Sequence, residues 1–499
     1  MKKKKHSSQL YFLMGTWLSF VALFIAGSVF MPVERDFASG SPALLYKFAQ
    51  NEELRRAPET ALADGEKLII ADLSGMTLSL YEGSTLVRSF PILSRGREGT
   101  FWETPTGKYT IQTKERKHFS SIGDTWMPYS MQFYGNFFIH GWPTYADGSD
   151  VPRGYSGGCI RLSTENAGEV YAFSAIGTRV FITGGLPKGS VATSSRYYLR
   201  SPDTKEEPPV ITAPAFVVAD IERGTVLWER EAGSLRDAGA LVSLPTALAS
   251  VEVIDQYKIV RMGELLLGKS VARKYSIGAA DELPLGALIY PLLFDANDTA
   301  AKAFAGVHGT EQFVSYMNQK AKAIGMDDTQ FSGVLSSDTS TTTARDLLTL
   351  LRYVEARKNF LITVSLLPER EWRSDDGELR YSWENKNPWV RSGDGRYRGG
   401  IASLHEDGSG SAMVLFTAPL SEFGDRTLAL ILLDSADVVG DIKQLTDFVA
   451  KNYVYGIEKN EEFIREHNEP TPSLLHKMKT LLDLEQFLQD TITYERDLS

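Results

Sequence analysis

Between Lys67 and Gly184 apolar and polar residues alternate in short runs: KLIIADL, MTLSLYE, STLVRSFPIL, GKYTIQT, NFFIHGW and RVFITG. A period of two turns one face of each run toward a core and the other toward solvent, which is how strands are written in sequence. Gly, Pro and Ser between the runs supply the turns, and the runs are rich in β-branched and aromatic residues. A mostly β domain over 67–184 is therefore expected. One segment breaks the alternation: STENAGEVYAFSAIG reads as a helix, with Ser163 or Thr164 as N-cap and Gly177 near its end.

The pattern changes again downstream. Residues 185–214 are rich in proline, serine and charge, which marks a linker. From 215 to 456 strand-like runs (AFVVADI, GTVLWER, SAMVLFTA, TLALILLD) mix with long helical ones (TEQFVSYMNQKAKAIG, TARDLLTLLRYVEARK), which predicts an α+β domain. The last stretch, 457–499, reads as an amphipathic helical tail that could pack on the second domain or pair with another chain. A length of 499 residues accommodates two or three such domains.

Ahead of the β region, MKKKK precedes Leu10 to Met31, 22 residues without a charge. As a helix that run would extend about 33 Å, enough to cross a bilayer's hydrocarbon core. The expected layout is a basic cytoplasmic N-terminus (1–9), a single-pass transmembrane anchor (10–31) and a spacer (32–66). The lysines would stay in the cytoplasm, putting both domains on the periplasmic or extracellular side of the cytoplasmic membrane. A cleaved signal peptide, with Ala26-Gly27-Ser28 as a poor cleavage site, is the competing reading. The net charge of −10 argues against nucleic acid as a partner.

Export makes the cysteine count informative. Cys159 is the sole cysteine, so it has no internal disulfide partner and is either a small buried hydrophobe or a working thiol. Its neighbours point to work. With eighteen residues between them, His140 lies upstream of it, ends a strand-like run and could serve as a base. Gly157 and Gly158 permit backbone conformations that aim amides at one spot, as an oxyanion requires. Arg161, two residues on, shares a strand face with Cys159 and could hold a carboxylate or brace the loop. Taken singly, each of these residues has a structural explanation. Together, around one thiol, they favour a nucleophile.

These residues resemble the signature of the L,D-transpeptidase (YkuD-type) catalytic domain: His-Gly at His140-Gly141, then SGGCIRL from Ser156. TPTGKYTI (104–111), MPYSMQF (127–133) and GTRVFI (177–182) are similar to further ordered motifs of that family, so the resemblance spans 67–184. It implies that Cys159 forms a thioester with a peptidoglycan stem tetrapeptide, releasing D-alanine, and passes the acyl group to an amine. His140 would be the base, oriented with help from Gly141. Backbone amides around Gly157 and Gly158 would stabilise the oxyanion, and Ser156 and Arg161 would bind substrate. The same acyl-enzyme would serve an L,D-carboxypeptidase or an enzyme attaching protein to the wall, and a non-catalytic wall-binding scaffold is the alternative of another class. No metal or organic cofactor is implied. Gly157 departs from the histidine that many members carry there, which affects pocket shape.

Residues 215–435 resemble the serine D-alanyl-D-alanine carboxypeptidases of the penicillin-binding type, through FVVADIERGTVLWERE, HGTEQFVSYMNQKAKAIGMDDTQF and STTTARDL. Those enzymes use Ser-x-x-Lys, Ser-x-Asn and Lys-Thr-Gly. Here Ser243 is followed at the lysine position by Thr246, the second motif reads Asp295-Ala296-Asn297, and GGIASL carries no Lys-Thr-Gly. A serine without its base is a poor nucleophile, so this domain is expected to be inactive. It or the C-terminal helices could bind stem peptides or a cell-wall protein.

Overall fold

The computed structural model describes residues 66–184, 196–199, 208–261, 282–373, 379–421 and 424–456, all within one compact unit. The basic N-terminus, the expected membrane helix, the spacer up to 65, most of the linker and the C-terminal tail lie outside the described residues. Among the described residues no helix is long and apolar enough to cross a membrane.

The alternating runs of the first domain fold into two sheets. In the first, β1 (Lys67–Asp72), β2 (Thr77–Glu82), β3 (Thr85–Pro91), β4 (Gly107–Thr110) and β9 (Arg179–Thr183) lie in the order β3-β2-β1-β9-β4, with β1 and β9 parallel. The second, β5 (Thr113–Ser120), β6 (Thr125–Tyr134), β7 (Phe137–His140) and β8 (Ile160–Arg161), runs in sequence order. Helix α1 (Thr164–Phe173) packs on β6 and β7 through buried Ala167 and Val170. Ser163 is its N-cap, accepting from the Asn166 amide at 3.2 Å.

Helices α2 (Ser243–Val253), α3 (Ile289–Asp295), α4 (Asp298–His308), α5 (Thr310–Ile324), α6 (Ala344–Arg357), α7 (Asn359–Val364) and α8 (Val438–Asn452) build the second domain around one sheet. In that sheet β11 (Ala215–Asp220), β12 (Val226–Arg230), β19 (Tyr397–Leu404), β20 (Gly410–Ser421) and β21 (Gly424–Ser435) take the order β12-β11-β21-β20-β19. Short ribbons pair β13 (Arg236–Asp237) with β16 (Thr341–Thr342), β14 (Ile259–Arg261) with β15 (Glu282–Pro284), and β17 (Glu369–Arg373) with β18 (Leu379–Glu384). Within the stretch read as linker, β10 (Arg196–Leu199) pairs with β22 (Tyr453–Gly456).

Both faces of the central sheet are covered, and strand alternation divides the side chains between them. On β21, Leu428, Leu430 and Leu432 join one apolar cluster while Ala429, Ile431 and Leu433 join the other. Helix α8 seals the first of these faces with Val438, Ile442, Leu445 and Val449, a stripe at helical spacing. Each fully buried branched chain of this kind contributes roughly 1.5–3 kcal/mol.

The other cluster does not stop at the domain border. It runs from Tyr109, Phe133 and Tyr134 of the first domain into Phe313, Met317 and Phe360 of the second. Strand β4 lies so close to α5 that a Cβ on Gly107 would stand 2.8 Å from the Ala323 carbonyl oxygen. At the seam Lys320 Nζ meets Glu252 Oε1 at 3.0 Å, Tyr353 Oη at 2.7 Å and Tyr109 Oη at 3.1 Å. Burial there pulls the lysine down to about 8, against the pull of Glu252 in the other direction.

Candidate active site

Strands β7 and β8 are parallel, with Ile139 opposite Ile160 and His140 opposite Arg161. Both isoleucines are fully buried. Alternation therefore turns His140 and Arg161 to the opposite face, and Cys159, two residues before Arg161, joins them there. The half-buried thiol donates to the Asn136 carbonyl oxygen, Sγ to O 3.7 Å, rather than to the imidazole. Burial pushes this thiol above its ordinary range, while the Phe138 amide and the Arg161 guanidinium pull it back.

His140 is 1% exposed and its Nδ1 lies 2.6 Å from the Gly141 carbonyl oxygen. A carbonyl can only accept, so Nδ1 carries the hydrogen and Nε2 keeps a lone pair. Burial lowers the imidazole to about 3, outweighing the Gly141 bond, with Arg161 and His118 lowering it further. The ring is thus a neutral base of fixed tautomer. Gly141 is held in turn by its own amide, donated to the Pro128 carbonyl at 2.8 Å.

The loop carrying the thiol is fixed from both sides. Ser156 Oγ accepts from the Gly158 amide at 3.0 Å and donates to the Cys159 carbonyl at 2.6 Å. Thr104 Oγ1 donates to the Gly158 carbonyl at 2.8 Å and accepts from the Gly96 amide at 2.9 Å. Gly158 has φ +103°, and a Cβ there would lie 2.2 Å from the Phe137 ring, so only glycine fits. Gly157 is different: the nearest atom to a Cβ on it is Trp102 Cε3, 3.8 Å away, leaving open space where a side chain could stand. Arg161 lies over Trp142, guanidinium carbon 5.8 Å from the ring centroid, and its buried Nε has no hydrogen-bond partner. Among the described residues no three His, Cys, Asp or Glu side chains gather as a metal site requires.

Comparison with known proteins fits this geometry. Residues 66–182 match the family model described as the L,D-transpeptidase catalytic domain (YkuD), and residues 202–400 match that described as D-alanyl-D-alanine carboxypeptidase. The chain carries a YkuD-type L,D-transpeptidase domain followed by a carboxypeptidase-type domain. A YkuD protein of Bacillus licheniformis is 35% identical over 115 residues, covering 23% of this chain and 64% of that protein. One from Bacillus subtilis is 31% identical over 114 residues, with the same coverages of 23% and 64%. The chain thus spans just under two thirds of each relative. Among solved structures, a D-alanyl-D-alanine carboxypeptidase of Mycobacterium tuberculosis is 19% identical, covering 50% of this chain and 94% of that one at a TM-score of 0.42. A mutant of Streptomyces K15 DD-transpeptidase is also 19% identical, covering 48% and 98%, at 0.41.

In the carboxypeptidase-type domain Ser243 opens α2 and is 3% exposed. Thr246, at the lysine position, is fully buried, and its hydroxyl donates to the Met317 sulfur at 3.9 Å. Asp295 closes α3, and burial raises its carboxyl. Asn297 is occupied as N-cap of α4, accepting from the Ala300 amide at 3.0 Å. On β19 the pair Gly399-Gly400 takes φ near +118° and +115°, and the Gly400 amide donates to Ser365 Oγ at 2.8 Å.

For the L,D-transpeptidase domain the sequence-predicted residues Cys159, His140, Gly141, Ser156, Gly157, Gly158 and Arg161 lie on one loop and the two strand ends beside it. In this structure the Gly158 amide is donated to Ser156 Oγ, so the Ser156 hydroxyl is engaged within the loop. Sequence reasoning missed Thr104 and Asn136 as supports of the thiol loop. Thr104 had a visible signal in the TPTG turn; Asn136 had none.

Proposed function

We propose that this protein is a cysteine L,D-transpeptidase that transfers peptidoglycan stem peptides through a thioester on Cys159. The supporting observation is the single thiol on one strand face with a neutral His140 and the guanidinium of Arg161, inside the segment that matches the L,D-transpeptidase catalytic domain.

Thiol and imidazole are both neutral at pH 7, so the proton leaves Sγ for Nε2 of His140 as Sγ attacks. The carbon attacked is the carbonyl of the stem's third residue. A C–S bond forms, and the oxyanion is held by the amides of Gly157 and Cys159. Collapse breaks the C–N bond to D-alanine, whose amine takes the proton from His140. An acceptor amine then attacks the thioester and gives its proton to His140; a C–N bond forms, the C–S bond breaks, and Sγ takes the proton back from Nε2 as the thiol leaves. Arg161, with its unpartnered Nε, offers a carboxylate of the stem its charge. Water as acceptor would give carboxypeptidase activity, and a protein lysine would give wall attachment.

The carboxypeptidase-type domain is inactive in this reading. With Thr246 packed on Met317 where the family's lysine belongs, Ser243 lacks the base those enzymes use. The lysine cluster and the uncharged run Leu10–Met31 support a single-pass anchor with both domains outside the cytoplasmic membrane.

Mass spectrometry of the ectodomain incubated with disaccharide tetrapeptides tests this reading. Cross-linked dimers, absent with Cys159→Ala, are expected. Tripeptide alone would make the enzyme a carboxypeptidase, and no product from the parent chain would leave a scaffold.

A further inference from the structure

Two contacts from the carboxypeptidase-type domain reach the segments that frame the thiol. The first begins at Lys358, which follows α6 and is fully buried. Its ammonium donates to three main-chain carbonyls of the other domain: Thr100 at 3.1 Å, Glu103 at 3.4 Å and Phe101 at 3.5 Å. A lysine ammonium has three hydrogens to give, and all three carbonyls belong to one turn. The Phe101 ring in that turn meets Phe360 edge-on at 4.9 Å. The next residue, Thr104, makes the bond to the Gly158 carbonyl. The path from Lys358 to the residue before the nucleophile thus has three links, each a short polar contact or a peptide bond.

The second contact lies on the other side of the loop. Asn136, in the β6–β7 turn, donates from Nδ2 to the carbonyl of Val253, the last residue of α2, at 2.9 Å. The main-chain carbonyl of this same Asn136 is the one that accepts from Cys159 Sγ. Gly135 beside it takes φ +46° and approaches so closely that a Cβ would stand 2.7 Å from Val253 Cγ1.

We propose that the carboxypeptidase-type domain serves as the built-in positioning element of the thiol loop, acting through Lys358 and through the Val253 carbonyl that holds Asn136 of the first domain. This rests on the reading of Cys159 as the nucleophile. Without Lys358 the turn at 100–103, closed by its own Glu103 amide to Thr100 carbonyl bond, would lose the ammonium that ties its three carbonyls to the second domain. With Lys358 in place, Thr104, Gly158 and the thiol share one fixed frame with the second domain.

The test uses the full chain with Lys358→Met, Lys358→Arg and Asn136→Ala, all keeping the sole cysteine. Two quantities are read: tetrapeptide transfer, split into kcat and KM, and the pH midpoint of Cys159 alkylation by iodoacetamide, followed by mass. Lys358→Met should lower kcat tenfold or more with KM within about twofold, and should move the alkylation midpoint toward that of a free thiol. Lys358→Arg should restore most of both, since a guanidinium can reach the same carbonyls. A folded Lys358→Met with unchanged kcat and midpoint would overturn the proposal. If it fails to fold, Asn136→Ala, at an exposed position, decides by the same two readouts. If the parent chain transfers no peptide, the transferase reading falls, while the alkylation midpoint still decides whether the second domain positions the thiol.

Discussion

Thr104 Oγ1 holds the Gly158 carbonyl at 2.8 Å while receiving the Gly96 amide at 2.9 Å, so one hydroxyl fixes two glycine-containing turns beside Cys159. Thr104 is 1% exposed, and water cannot replace it. Thr104→Val keeps the shape and leaves a donor and an acceptor unpaired. The expected loss is about 2–6 kcal/mol in urea unfolding, from two groups at roughly 1–3 each. Transfer should fall further than stability alone explains at temperatures where the variant is folded.

The histidine makes a prediction about acid. The His140 side chain is held near 3 in the folded state against 6.5 when free, so the unfolded chain takes up a proton that the folded chain refuses between those values. Stability from this group is present above pH 6.5 and is lost as pH falls toward 3. Its share of the loss between pH 7 and pH 5 is about 2 kcal/mol. Urea unfolding at the two pH values should show that share disappearing in His140→Gln, whose amide can still donate to the Gly141 carbonyl.

The two loop glycines should respond in opposite ways. Gly158→Ala drives a methyl into the Phe137 ring at a φ that alanine avoids, and should cost roughly 3 kcal/mol or more along with all transfer. Gly157→Ala meets only open space and should stay within about 0.5 kcal/mol of the parent. Thermal unfolding of the pair, read with alkylation of Cys159, separates the two cases.

The seam between the domains can be probed by a double-mutant cycle at Lys320 and Glu252. Both side chains are almost fully buried, so Lys320→Met strands a carboxylate and should cost about 3–5 kcal/mol. Lys320→Met with Glu252→Leu should recover most of that, because the apolar pair removes both charges. Equal losses in the single and double variants would mean that the ion pair is not what the lysine supplies.

Much of the first domain was legible because its strands obey a period of two. KLIIAD, TLSLYE, FFIH and RVFIT all fold as strands, and the helix after the cysteine begins at Ser163, one of the two caps the sequence offered. Strand β5, TKERKHFS, was not recognised. It is a lysine-rich edge strand, half in solvent, whose charges hide the alternation. Cys159 and His140 stood out because their chemistry is rare and their motif local. Lys358 could not be read. At the end of an amphipathic helix a lysine looks like an ordinary partner for the helix dipole, and its contacts lie 255 to 258 residues away. Asn136 read only as the first residue of the strand-like run NFFIHGW, and its partner Val253 lies 117 residues away.

The apolar cluster shared by Tyr109, Phe133, Tyr134, Phe313 and Met317 gives the linker an unexpected status. What joins the halves of this protein is their common interior, and the covalent thread between Gly184 and Arg196 is secondary to it. A protease that cut that thread would produce two chains on a denaturing gel and one particle on a sizing column. Cys159 and the turn at 100–103 would be in one chain and Lys358 in the other, its ammonium still on that turn.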